Sequence, residues 1–199
     1  MRKRVPAVRR RRGARRYLRR VILAVEGSRT EPAYFGLLDS LSVTVKIRCL
    51  KSHDKSAPLH VLKRLKSWIQ NEDLALSDAA WLVVDRDTWS EFDLEQLHAW
   101  SCGDDRFGLA LSNPCFEYWL LLHFEDGTAI KNPMECRRRL RIHIPDYSKH
   151  LEVKYFDRIR VAEAIRRAEL RDSPPCTDWP RKPGGTTVCR LVKRILEAP

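Results

Sequence analysis

Residues 21–38 read VILAVEGSRTEPAYFGLL, an apolar run broken abruptly by a glutamate and a glycine, with a second glutamate four residues past the glycine. Val21 to Val25 has the length and continuity of a strand buried on both faces. Beyond the break, Tyr34, Phe35, Leu38 and Leu41 recur on one helical face. The stretch therefore predicts strand, turn and helix, with Glu26 ending the strand. Pro32 belongs in the first helical turn, so the helix starts at Thr30 or Glu31 and both glutamates lie at the mouth of the sheet. Ser28, Arg29, Thr30 and Glu31 imitate an S-x-x-E capping box, but Pro32 would then fall beyond the first helical position, which argues against it. Gly27 suits a tight turn, and Glu31 also suits the helix dipole.

The same rhythm runs on. VTVKIRCL (43–50) alternates Val43, Val45, Ile47 and Cys49 as a strand with one better-buried side. Leu59, Leu62, Leu65 and Ile69 form a helical stripe, AWLVVDRD (80–87) a third strand, EFDLEQLHAW (91–100) a helix and FGLALS (107–112) a fourth strand. Alternation of this kind predicts βαβ units with right-handed crossovers. The fold class is α/β, Rossmann-like, with a mostly parallel four-stranded sheet and helices on both faces.

Past residue 112 the strand signals stop. NPCFEYWLLLHF (113–124) predicts a helix with Asn113 as N-cap and Pro114 at its first position. Helical spacing returns over residues 156–170 and at Val188, Leu191, Val192, Ile195 and Leu196, while RDSPPCTDWPRKPGG (171–185) is loop. The expected organisation is a basic arm over residues 1–20 and one domain over 21–199, divided into an α/β core (21–112) and a helical C-terminal part (113–199).

Composition excludes several classes. With 199 residues and 43% apolar content the chain supports one domain with a core. The longest dense apolar run, PCFEYWLLLHF (114–124), is too short to cross a bilayer, and no secretory signal follows the basic start. The six cysteines (49, 102, 115, 136, 176 and 189) stand singly, without a C-x-x-C pair. That fits neither a zinc ribbon nor a disulfide scaffold, and points to reduced thiols in a cytoplasm.

The net charge of +12 is local. Residues 1–20 hold 11 of the 38 Lys and Arg and no acid, so 27 bases face 26 acids in the remainder. Arg9, Arg10, Arg11 and Arg12 lie at the centre of the arm. Its functional reading is salt-dependent contact with nucleic-acid phosphates, blind to sequence; its bland reading is a solvated tail. Tyr17 is its one stacking ring.

Ligands of doubly wound sheets gather outside the carboxyl ends of the strands, where this sequence sets its acids. Asp85 and Asp87 end the third strand, about 6–7 Å apart on one side, with Arg86 on the other. With the first and third strands close in the sheet, Glu26 joins them, and oxygen-only ligands suit Mg²⁺ or Mn²⁺. As a turn former, an Asp pair at a strand end also has a purely structural reading. Glu117 shares a stripe with Leu120, Leu121 and Phe124 and needs a partner there. That partner is an arginine in one reading and a metal or an oriented water in the other. His123 reads as a packing residue.

These stretches carry a resemblance. VEGSRTEPAYF after a basic leader, VVDRD, ALSNPCFEYWLLLHF, YSK (147–149), AEAIRRAEL and TTVCRLVKRIL, in that order and over nearly the whole chain, resemble the RloB-like family. That family in turn resembles the Toprim fold, whose members carry a glutamate after the first strand and a D-x-D after the third. The resemblance implies that Glu26, Asp85 and Asp87 are that set, and that the chain belongs to a restriction or abortive-infection locus beside an ATPase partner of the ABC type. RKPGGTTV (181–188) departs from the family's usual N-P-S-T run.

The leading expectation is a nuclease dependent on Mg²⁺ or Mn²⁺, hydrolysing DNA or RNA. Glu26, Asp85 and Asp87 would hold the metal, Glu31 and Glu117 would add ligands, and Arg29 and Lys149 would contact phosphate. The rival is a non-catalytic nucleic-acid-binding or sensor subunit acting through the ATPase. A nucleotidyl transferase would want a nucleotide-binding loop, and no G-x-x-x-x-G-K-[ST] occurs. A second copy of the chain, as a homo-oligomer, is a further expected partner; a membrane is not.

Overall fold

The structure is a computed structural model that describes residues 19–51, 57–86, 89–147 and 151–197. Four parallel strands, β1 (Arg19–Val25), β2 (Val45–Leu50), β3 (Ala79–Asp85) and β4 (Phe107–Asn113), form a sheet in the order β2-β1-β3-β4. A two-residue strand, β5 (Gly185–Thr186), adds to β4 in antiparallel sense, so the sheet is mixed and five-stranded rather than four-stranded. Two residues cannot show a period, and β5 lies at the end of a Pro- and Gly-rich stretch, which is why pattern alone reads that segment as loop.

The helices are α1 (Thr30–Leu41), α2 (Pro58–Asn71), α3 (Glu91–Ser101), α4 (Phe116–Leu121), α5 (Pro133–His143), α6 (Arg158–Arg171) and α7 (Val188–Leu196). They cover the sheet on both faces, as its unbroken apolar strands require. Val21, Leu23 and Val25 pack with Tyr34, Phe35 and Leu38 of α1 and with α4 to α7. Ile22, Ala24, Leu82 and Val84 pack against Val61, Leu62 and Leu65 of α2 and Leu94 and Leu97 of α3. This is the α/β, Rossmann-like architecture that the sequence predicts. Among the described residues no helix is long and apolar enough to cross a membrane.

Three boundaries differ. β1 begins at Arg19, inside the expected arm: the Arg19 N–H donates to the Thr44 carbonyl at 3.1 Å, and Arg20 grips buried Asp78 through its backbone N–H and its Nε, both at 2.8 Å. β2 begins at Val45, leaving Val43 exposed. Asn113 is not a helix cap. It ends β4, pairs with Gly185 and donates its side-chain amide to the Pro180 carbonyl at 3.0 Å, while α4 starts at Phe116 with Cys115 as N-cap. The sheet's hold on Asn113 outweighs its capping preference. Ser90, Asn132 and Asp157 each cap the helix that follows them, as their side-chain oxygens favour.

A candidate acidic site at the mouth of the sheet

β1 and β3 are neighbours, with Val25 opposite Val83, so Glu26 and Asp85 leave the sheet side by side. The Glu26 N–H donates to the Val83 carbonyl at 3.0 Å, and the Glu26 carboxylate accepts the Asp85 N–H through Oε2 at 3.1 Å. The glutamate after the first strand is thus locked to the backbone of the third. Glu31 turns back from the first turn of α1, where it is 6% exposed, and its Oε1 accepts the Gly27 N–H at 2.9 Å. A Cβ on Gly27 would lie 2.2 Å from Glu31 Oε2. Gly27 thus leaves room for the close approach of a carboxylate, a different reason from the turn freedom suggested by sequence. No side chain caps α1, and Ser28 does not close a capping box.

Asp85 faces this pair from the end of β3. Its carboxyl is pushed well above the ordinary carboxylate range, by burial first and then by the charges of Glu31, Glu26 and Glu117; the Phe116 N–H opposes the shift. Three carboxylates, one just past β1 and one each from α1 and α4, therefore bear on Asp85 at the mouth. Arg86 points away, as strand alternation dictates, and pairs with Glu91 at the start of α3.

Glu117 has the partner its apolar surroundings demand. The Tyr147 hydroxyl donates to its Oε1 at 3.3 Å, and Arg137 of α5 stands 3.7 Å from the same oxygen. Burial and the Glu117 charge raise the Tyr147 phenol, which is also hydrogen-bonded with the Thr30 side chain. Cys115, against Cys136, Glu117 and Asp85, has its thiol raised first by the hydrogen bond with Cys136 and then by burial, and stays protonated. His123 is a packing residue: its Nε2 meets the Tyr34 hydroxyl at 3.1 Å, its Nδ1 faces the Trp119 carbonyl at 3.1 Å, and burial lowers its pKa to about 3.

The structure brings together Glu26, Glu31, Asp85 and Glu117. Arg29 lies exposed at the N-terminus of α1, beside them in sequence. Asp87, Lys149 and Arg9, Arg10, Arg11 and Arg12 lie outside the described residues. Sequence reasoning missed Tyr147, Thr30 and Arg137. Tyr147 stands in the YSK stretch that helped to carry the resemblance, whereas Arg137 is one of three consecutive arginines that sequence alone does not tell apart.

An oxygen-only donor set in which each charge opposes the next fits a hard divalent cation chemically. Among the described residues no group of three or more His, Cys, Asp and Glu side chains is arranged to hold a metal ion, so those residues form no closed cage.

Fold and site together define an α/β protein with an acidic centre outside the carboxyl ends of its parallel strands. The model of the family described as RloB-like protein matches residues 21–195, and the chain belongs to that family. No curated protein and no solved structure matches it.

Proposed function

We propose that the chain is a Toprim-type nuclease dependent on Mg²⁺ or Mn²⁺, hydrolysing phosphodiester bonds of DNA or RNA in the cytoplasm. In this reading it works in a phage-defence or restriction setting with an ATPase partner. The observation that carries the reading is the Glu26–Asp85 contact, which sets the carboxylates of the first and third strands at one mouth with Glu31 and Glu117 around them.

Glu26, Asp85 and Asp87 would hold the cation, and Glu31 and Glu117 would extend the set. The bound cation would polarise the scissile phosphate and lower the pKa of the attacking water. The chain's own groups do the positioning. The Asp85 N–H fixes the rotamer of Glu26, and the Gly27 N–H fixes Glu31. Tyr147 steers Glu117. Burial and the charges of Glu31, Glu26 and Glu117 raise the Asp85 carboxyl, and a bound cation would offset that crowding. Arg29, Lys149 and the arm would meet phosphates.

One observation favours the rival reading, a nucleic-acid-binding or sensor subunit: Glu26 and Glu31 already accept backbone N–H groups, as structural carboxylates do. Incubating the purified protein with labelled DNA and tRNA in Mg²⁺, Mn²⁺ or chelator, with and without the ATPase, separates the two. Cutting that needs metal and is lost in Asp85→Asn supports the nuclease. Binding without cutting under every condition, unchanged in Asp85→Asn, supports the rival.

A further inference from the structure

We propose that the outer face of α5, formed by Arg137, Arg138 and Arg141, seats the sugar-phosphate backbone of the nucleic acid that enters the acidic site. The inference deepens the function proposed above and rests on it for the nature of the ligand.

α5 reads PMECRRRLRIH. Cys136 and Leu140 anchor it in the core, and Ile144 follows one turn on. Its basic residues divide into two sets. Arg139 and His143 turn back onto Glu125, Arg139 also donates to the Thr128 carbonyl at 2.5 Å, and the His143 ring stacks on Phe124. These hold the helix in place. Arg137, Arg138 and Arg141 line a groove of about 720 Å³ with Asn132, Met134 and Glu135.

The plain alternative is a solvated basic face, and the neighbouring helices argue against it. Four bases of α6 and α7 are ion-paired, Arg166 with Glu163, Arg167 with Asp126, Lys193 with Glu169 and Arg190 with Asp172, and Arg158 and Arg171 donate to the Leu41 and Gly184 carbonyls. Arg138 and Arg141 are exposed and form no ion pair with a described residue. Arg137 stands at the inner end of the groove, 3.7 Å from Glu117, where the basic face meets the acidic one. Arg137 and Arg141 are one helical turn apart, so their guanidiniums present donors in series along one line. Each can grip phosphate oxygens bidentately. Exposed Met134 adds an apolar contact for sugar or base.

The test is fluorescence anisotropy of labelled 20-mer RNA and DNA on the full chain in chelator, where cutting plays no part. Arg138→Ala/Arg141→Ala is compared with Lys63→Ala/Lys66→Ala, an equal charge loss on exposed positions of α2. The α5 pair is expected to weaken binding about tenfold and to reduce the slope of log K against log salt by about 2, with the α2 pair much nearer the parent. Equal effects of the two pairs, or no effect of the α5 pair, overturn the proposal. If the α5 pair binds as the parent does while the parent still cuts with metal, the groove fails and the nuclease reading stands. If the α5 pair loses binding and no condition yields cutting, the groove stands and the nuclease reading fails.

Discussion

The carboxylate of Glu26 accepts the backbone N–H of Asp85 at 3.1 Å, joining the ends of two adjacent parallel strands. A glutamine keeps an oxygen for that N–H but gives up the charge. Glu26→Gln is therefore expected to melt within about 1 kcal/mol of the parent. Any metal-dependent cleavage should fall by about 100-fold or more. Urea unfolding and a cleavage assay on one preparation check both halves. A parent-like rate would remove Glu26 from the chemistry.

Gly27 and Glu31 form a second such pair. A methyl group at residue 27 would meet the Glu31 carboxylate, so Gly27→Ala is expected to shift it and weaken its hydrogen bond with the Gly27 N–H. The expected cost is about 1–3 kcal/mol. Because the clash is with one side chain, Gly27→Ala should cost far less in a Glu31→Ala background. A double-mutant cycle from chemical denaturation should give a coupling of about 1 kcal/mol or more. Additive effects would place the strain elsewhere.

The glutamate after the first strand, the Asp85 position and the opposite pointing of Arg86 were legible because strand periodicity and parallel topology leave little choice about which side chains reach the mouth. The helix start was legible from Pro32 to within one residue, Thr30 or Glu31, and the structure begins α1 at Thr30. What sequence could not supply was tertiary. The sheet rather than α4 claims Asn113, a two-residue β5 has no pattern, and only a long-range contact distinguishes Arg137 from Arg138 and Arg139. Glu117 shows the limit most clearly, since its apolar stripe announced the need for a partner without naming Tyr147.

Asp85 makes stability depend on pH in a direction opposite to most carboxylates. Its folded pKa lies above the ordinary 3.8, through burial and then the charges of Glu31, Glu26 and Glu117. The folded state therefore binds the proton more tightly than the unfolded state does. That contribution is complete below about pH 3.8 and is lost as pH climbs through the folded value. Asp85→Asn imitates the protonated form at every pH. The variant's stability advantage should widen as pH rises above about 3.8, by about 1.4 kcal/mol for each pH unit until the folded value is passed. Taking the difference between the variant and the parent cancels His123, whose lowered pKa is common to both. On the proposed function, saturating Mg²⁺ should stabilise the parent at pH 8 and narrow the gap. A pH-independent difference in thermal melts would contradict the crowding of charge.

Tyr147→Phe tests the hold on Glu117. Losing the hydroxyl leaves a buried carboxylate with Arg137 at 3.7 Å as its remaining ion-pair partner. A cost of about 1–3 kcal/mol is expected, and a smaller one in a Glu117→Gln background, where no charge is left to compensate. Denaturant midpoints of the four proteins measure the difference. An equal cost in both backgrounds would assign the effect to the hydrogen bond with Thr30 instead.

Where β1 starts decides how the arm can be removed. Arg20 donates to both oxygens of Asp78 and to the Asp73 carbonyl, and Asp78 is 2% exposed. Burial alone would raise the Asp78 carboxyl, yet the hydrogen bonds and charge of Arg20 bring it below its ordinary value. Cutting the chain after residue 20 would strand that carboxylate, whereas cutting after residue 18 spares it. Loss of residues 1–18 removes nine bases, and is expected to leave the melting curve in place while weakening binding to DNA and RNA and flattening its salt dependence. Arg20→Ala in the full chain should do the reverse, costing roughly 1–3 kcal/mol of stability with little change in the salt slope. A truncation at residue 18 that binds a 20-mer as tightly as the full chain across a salt series would show that the arm is only a solvated tail, and would leave attraction for phosphate to the folded domain.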